Sequence, residues 1–473
     1  MNRIDDAQAA DPPARAAQAT PALAARPERP LWRTYLAFLG PMVLANILQS
    51  LSGSVNGVYI GQMLGTDALA AVAGMFPVVF FFIALVIGVG AGASVLIGQA
   101  WGAREPHKVK AIAGTALALG GLIGLGAAVL GESFARPALV ALGTAPELLP
   151  DAVAYARVMM LAMPLLLVFI LYTQLLRGVG DTVTPLLALC LSTTVGLLVT
   201  PALIRGWLGL PRLGVVSAAV AGWVSFALAL AFLWVYLRRK NHPLAPDAEL
   251  LRALRIKPQL LRAVLRIGVP TGVQMVTIAM AELAILGLVN GYGADATAAY
   301  GAVNQIVNYV QFPALSIAIT ASILGAQAIG AGRTERLSAI VRTGLLLNAV
   351  LTGALVLLGY GLSRWLLGFF ITTPPVLVMA QGLLQVMLWG SVVFGMQAVV
   401  AGVMRASGTV WVPTGISVAS IVLVQLPAAH LLSAHFGLPG VWMSYPVVFC
   451  VMLLLQSAFY RLVWRARRIE RLI

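Results

Sequence analysis

Apolar stretches of about 20 residues follow one another along nearly the whole chain, separated by short polar connections, which is the pattern of helices sized to a hydrocarbon core. Leu161 to Leu176, Pro185 to Ile204, Ala339 to Leu362 and Val441 to Tyr460 are examples. Polar positions within them are too sparse to form the wet face of a helix on a soluble protein. Each stretch therefore predicts a transmembrane helix. The first half of the chain predicts six, at about 36–60, 72–99, 111–131, 152–175, 185–204 and 214–237. Prolines at Pro77, Pro164, Pro201, Pro313, Pro427 and Pro446 fall inside such spans, where they bend helices and free backbone carbonyls for neighbours or a wet cavity to satisfy.

The second half repeats the first. GTDALAA at Gly65 to Ala71 returns as GADATAA at Gly293 to Ala299, and SVLIGQAWGA at Ser94 to Ala103 returns as SILGAQAIGA at Ser322 to Ala331. LRGVGDTVTP returns as MRASGTVWVP with Arg177/Arg405, Gly180/Gly408 and Pro185/Pro413 kept, and GLP at Gly209 returns at Gly437. All four anchors share one offset of 228 residues, which duplication explains and chance does not. Six spans per copy is an even number, so the second copy enters the bilayer from the same side as the first. The expected fold is an all-α membrane protein of twelve transmembrane helices in two parallel six-helix repeats, related by a pseudo-twofold axis along the membrane normal. Secondary transporters use this symmetry, with the substrate site between the halves. The expected organisation is a disordered tail (1–33), a first lobe (34–237), a linker (238–261), a second lobe (262–460) and a basic tail (461–473).

Composition sharpens the membrane reading and redirects the charge. Of 473 residues 60% are apolar and 10% charged, with a mean hydropathy of +0.93. The net charge of +15 would suggest nucleic acid on a soluble domain. Here Lys and Arg gather in the tails and in every second connection, from Arg104 to Lys110, at Arg177, from Arg238 to Arg266, from Arg333 to Arg342, at Arg405 and from Arg461 onward. The positive-inside bias then puts both termini in the cytoplasm of a multi-pass protein of the cell's inner membrane. No nucleic-acid partner is expected. The lipid bilayer and small organic solutes are, with the chain acting as a monomer. Cys190 and Cys450 lie in apolar spans at unmatched places in the repeat and imply neither a disulfide nor a metal site.

Ionisable groups at membrane depth are costly and hence informative. Most acidic residues, Glu132 among them, fall in or beside predicted loops; Glu282, in PTGVQMVTIAMAELAILGLVN, is placed near the middle of the seventh span. A bare carboxylate there costs on the order of 3 kcal/mol on insertion scales. A carboxyl that is neutral with a proton, or paired with a cation, but costly when bare is a physical exchanger. Asn46, Gln49 and Asn56 share one face of the first span, Asn304, Asn308 and Gln311 one face of the eighth, and Gln274 and Thr277 match Asn46 and Gln49 in the repeat. These faces are candidate linings of a central chamber, or else interhelical hydrogen bonds that hold the bundle. Arg177, Gly180, Pro185, Arg405, Gly408 and Pro413 are candidates for a structural or gating role. No phosphate-binding Gly-rich loop, zinc-binding His pair or hydrolytic constellation occurs, so neither an enzyme nor a bound cofactor is expected.

With Gly40-Pro41, SVNGVYIGQMLGTDALAAVAG, the GQAWGA and AQAIGA pair and LRGVGDTVTP, the chain resembles the multidrug and toxic compound extrusion (MATE) family over everything but its tails. The resemblance implies a V-shaped pair of lobes that exports amphipathic organic cations in exchange for protons or sodium ions. It implies an acidic residue in the first span at the place of Asn56 and another in the tenth near Phe394, Gly395 or Gln397, and neither is present. It also implies a Glu in the seventh span, which Glu282 resembles. Proton coupling through Glu282 is therefore favoured over sodium. The rivals are a lipid-linked oligosaccharide flippase, whose pyrophosphate calls for Arg or Lys deep in the cavity, and a receptor or scaffold that moves no solute.

Overall fold

The computed structural model describes residues 30–473, apart from 142 and the side chain of 208. The disordered tail expected over 1–33 lies almost wholly outside the described residues. Among the described residues twelve helices are long and apolar enough to cross a membrane: α1 (Leu31–Leu64), α2 (Thr66–Gly102), α3 (Pro106–Ala141), α4 (Leu149–Gly178), α5 (Val183–Arg205), α6 (Gly214–Arg239), α7 (Pro258–Asn290), α8 (Ala294–Gly330), α9 (Arg336–Gly361), α10 (Pro374–Ala406), α11 (Trp411–Phe436) and α12 (Leu438–Trp464). They form two six-helix lobes opening as a V, with no strand among the described residues. Both ends of the described chain lie on one side, termed here the terminal face; Leu31 and Arg471 line one cavity there.

The prolines divide into two groups. Pro164, Pro201, Pro313 and Pro446 sit inside helices as expected. Pro77 and Pro427 instead start helical segments, Pro77 after a break at Met75 and Pro427 after a π-helical turn at Ile421–Gln425, because a first-turn proline lacks only an N–H that has no partner anyway.

The lobes meet along a seam on the terminal half of the molecule. At its base α2 crosses α8, and the crossing is reciprocal: a Cβ on Gly102 would lie 2.1 Å from the Gln327 carbonyl, and one on Gly330 would lie 1.9 Å from the Gln99 carbonyl. Gly102 and Gly330 are repeat mates, as are Gln99 and Gln327, so the pseudo-twofold axis passes through this crossing. The same pair of glutamines ties each lobe to the other. Gln99 donates to the Ala406 carbonyl at 2.8 Å and Gln327 to that of Gly178 at 3.2 Å. Farther along, Gly88 and Gly92 let α2 press on α7 at Gly268 and Val264. Their repeat mates Ser316 and Thr320 instead face α1, where Asn46 donates to Ser316 at 3.4 Å. One flank is sealed by small residues and the other by polar contacts.

The linker is more than a connector. A short helix (Ala248–Arg252), capped by the Asp247 side chain accepting from Leu250 N at 2.9 Å, lies against the first lobe. Lys110 of α3 reaches Asp247 at 2.5 Å and Glu249 at 2.7 Å, Tyr172 donates to the Leu244 carbonyl, and a Cβ on Gly114 would lie 2.2 Å from the Ala253 carbonyl. His242 is held below its ordinary pKa by burial, against the pull of Asp181, and its Nδ1 accepts from Leu244 N at 3.1 Å. Charge alone signalled a polar connection here; the close seat at Gly114 was not legible.

Lys110 also sets an acid sensitivity. Burial raises the Asp247 pKa, but the hydrogen bond and charge of Lys110 and the Leu250 N–H outweigh it and leave a net depression; Glu249 is depressed by its bonds to Lys110 and His107. A depressed carboxyl contributes stability that is full above the unfolded pKa and is lost as pH falls through the folded one. Lys110→Ala is expected to speed tryptic cleavage between Arg252 and Lys257 severalfold at neutral pH. In the unmutated chain, pepsin should attack this segment ahead of the helices as pH drops below the ordinary carboxylate range. Equal cleavage in both proteins would show that Lys110 does not hold the linker.

Candidate functional site

Glu282 sits on α7 two turns, about 12 Å, before the helix ends at Asn290. The expectation of mid-span therefore needs correcting. The helix begins at Pro258, and its apolar part centres about one turn before Glu282, so the carboxyl lies toward the face opposite the termini. Ala281, Ile285 and Val289 turn into the second lobe and are buried, while Glu282 beside them is exposed. Tyr300 on α8 and Tyr445 on α12 lie within electrostatic reach of it. Their hydroxyls are 3.3 Å apart, and Tyr300 stacks on Trp442 with centroids 4.8 Å apart. Among the described residues Glu282 has no hydrogen-bonding or ion-pair partner. Glu132, expected near a loop, also lies within a helix, two turns before the end of α3, but it is half-exposed and paired with Arg157 at 3.6 Å. Lack of a partner sets Glu282 apart from Glu132.

The polar chamber candidates do not gather in one place. Asn46 belongs to the seam through Ser316, and Asn56 accepts from Thr200 at 3.3 Å within the first lobe. Gln274 lines a small closed pocket with Arg405, Thr409, Pro413 and Ser417, below Glu282 on the terminal side. Thr277 bonds back to the Val273 carbonyl of its own helix at 2.9 Å. Gln49 and Asn308 are exposed, and Asn304 and Gln311 partly so. The residues that bridge the lobes at mid-depth are instead Ser50, Gln305 and Tyr309: Ser50 donates to Tyr309 at 3.5 Å and accepts from Gln305 at 3.3 Å. Gln305 and Tyr309 lie about 100° around α8 from the face read off the asparagines. Sequence spacing gave that neighbouring face no separate signal.

The repeated Arg-Gly-Pro motif forms matching turns. Gly180 (φ 96°) and Gly408 (φ 77°) take the left-handed backbone that glycine adopts freely. Pro185 and Pro413 are buried in the first turns of α5 and α11. Arg177 donates to Gln174 at 3.3 Å, and Arg405 lines the small pocket. A larger cavity of about 880 Å³, lined by Trp101, Arg104, Gln327 and Arg471 among others, opens on the terminal face, far from Glu282. Among the described residues no cluster of His, Cys, Asp or Glu could hold a metal ion.

Twelve spans in two pseudo-symmetric lobes, joined along one half and parted along the other, define a membrane transporter of the alternating-access kind. The MatE family model matches both halves, residues 41–202 and 270–431. The chain belongs to the MATE family. It is 41% identical to the probable multidrug resistance protein YoeA of Bacillus subtilis over 94% of this chain and 96% of that one. It is 27% identical to an FAD transporter of Shewanella oneidensis over 89% and 92% of the two chains. The crystal structure of a single-residue mutant of the Vibrio cholerae MATE transporter VcmN shares the fold, with a TM-score of 0.85 at 19% identity, covering 93% of this chain and 98% of that one.

Proposed function

We propose that the chain exports amphipathic organic cations in exchange for protons, with both termini in the cytoplasm of the cell that it protects. The observation that carries this reading is Glu282: an acidic group within the apolar span of α7, in reach of Tyr300 of α8 and Tyr445 of α12, with no fixed cation to neutralise it. Such a group is stable when protonated or when paired with a bound cation, and costly otherwise. Substrate and proton then compete for one carboxyl, and competition for one site is the minimal exchanger. The name of the Bacillus relative supports drug export. The Shewanella relative is named an FAD transporter; here Arg177 and Arg405 end their helices on the terminal face and Arg157 is paired with Glu132, so among the described residues no Lys or Arg is paired with Glu282.

Energetics follow from the charge count. A proton returning down its gradient supplies about 1.4 kcal/mol per pH unit, and each net charge moved adds about 2.3 kcal/mol per 100 mV. Exchange of one proton for one monovalent cation moves no net charge. In proteoliposomes, efflux of a fluorescent organic cation is expected to follow the pH gradient, to ignore an imposed potassium diffusion potential, and to be unchanged when sodium replaces potassium. Flux driven by voltage alone, or only with sodium, overturns the proton scheme.

A further inference from the structure

We propose that the segment after Trp464 is a releasable strap that holds the two lobes shut on the terminal face, so that its detachment is a step in opening the central space to that side. The inference rests on the alternating-access reading but not on Glu282 or on the coupling ion. The chain leaves α12 through a π-helical turn, Tyr460–Trp464. That turn buries Trp464, 2% exposed, with its indole N–H donating to Ser407 Oγ at 2.9 Å. The chain then runs back beneath the lobes.

Its end is anchored on both of them. The Leu472 backbone N–H donates to Gln99 Oε1 of α2 at 2.9 Å, a bond from the second lobe's own tail to the first lobe. The Leu472 side chain covers Gly408; a Cβ at Gly408 would lie 2.7 Å from it, so the seat exists because no side chain fills it. Ile469, Leu472 and Ile473 pack on the same apolar core as α2 and α10. Gln99 is thereby used twice, donating to Ala406 and accepting from Leu472. Its repeat mate Gln327 makes the matching bond to Gly178, and among the described residues the tail gives it no hydrogen bond. The strap is an addition to one side of an otherwise reciprocal crossing.

Parting the lobes on this face pulls Gln99 away from Ala406 and Leu472 together. Contacts made in one of two states bias the equilibrium by their differential free energy. The intervening Arg465, Arg467, Arg468, Glu470 and Arg471 are exposed, so few contacts must break for the strap to leave. Elements that move are drawn from such weakly held segments.

The test is a distance measurement in lipid nanodiscs, with spin labels at Lys108→Cys and Ser338→Cys on opposite lobes and with Cys190 and Cys450 replaced by Ala. The full chain is compared with a truncation after Trp464 and with Leu472→Asp, which keeps every span and removes only the apolar anchor. The ratio of long to short distances is expected to rise at least about fivefold in both variants, the lower end of ordinary coupling between two states. Unchanged distributions in Leu472→Asp, or a terminal face that stays shut in the truncated chain, overturn the proposal. Distances report lobe position rather than flux, so failure of the proton-exchange reading leaves this result interpretable.

Discussion

Glu282→Gln is expected to abolish the uphill part of transport while leaving the fold and downhill exchange in place. Glutamine matches the carboxyl in size and is always neutral, so it mimics the protonated state and cannot enter the ionised one. With one-for-one exchange, a gradient of one pH unit can sustain about a tenfold substrate ratio across the bilayer, equivalent to about 1.4 kcal/mol. With the toggle removed, that ratio should fall to one. Accumulation of a fluorescent cation in inside-out vesicles, read before and after collapse of the pH gradient, measures it. A mutant that still accumulates substrate tenfold removes Glu282 from the mechanism, though not the transporter from its family. Tyr300→Phe offers a graded companion: it deletes one hydroxyl near Glu282 while keeping the ring that stacks on Trp442, so it should alter the kinetics of exchange without erasing the gradient dependence.

Much of this architecture is legible in the sequence, and the reason is physical. Hydrocarbon allows few solutions for a backbone, so a run of apolar residues fixes helix type and approximate length. The offset of 228 residues then fixed symmetry, and the crossing of Gly102 on Gln327 and of Gly330 on Gln99 realises it within the GQAWGA and AQAIGA segments. Helix ends were less legible: α7 starts at Pro258, outside the apolar run, and that extension moved Glu282 off the centre of its span. The seam was hardest. Asn46 was singled out for polarity and proved to be a lobe contact, while Ser50, Gln305 and Tyr309 were missed because a polar residue in a span carries no mark of which neighbour it faces. The docked linker and the returning tail are read from the sequence only as a connecting segment and a basic tail. Their closest seats, at Gly114 and Gly408, are apolar or backbone contacts that average charge hides.

Gly330→Val should act on the seam in the opposite sense to a stabilising contact, and its effect should be large because the obstacle is backbone. A Cβ at this position would lie 1.9 Å from the Gln99 carbonyl oxygen and 2.8 Å from the Gln99 Cα, and no side-chain rotation relieves it. Either α2 and α8 move apart or the strain stays. Overpacking of this kind costs roughly 1–3 kcal/mol, and it falls on the state in which the terminal face is shut. When that face opens, the crossing separates and the cost disappears. The equilibrium should therefore shift about 5- to 150-fold toward the terminal-open state, with little loss of helix content. Ala100, 1% exposed beside the crossing, reports it: in a Cys190→Ala, Cys450→Ala background, Ala100→Cys should react with a membrane-impermeant maleimide far faster when Gly330→Val is also present. The repeat supplies its own control, since Gly102→Val meets the Gln327 carbonyl at 2.1 Å and should produce the same phenotype from the other lobe. If the two valines differ, or if labelling stays slow in both, the α2–α8 crossing is not the contact that opens. A single residue type then explains two observations at once, because a glycine at both mates gives the lobes a close meeting on this face and leaves nothing to hold them there once they part.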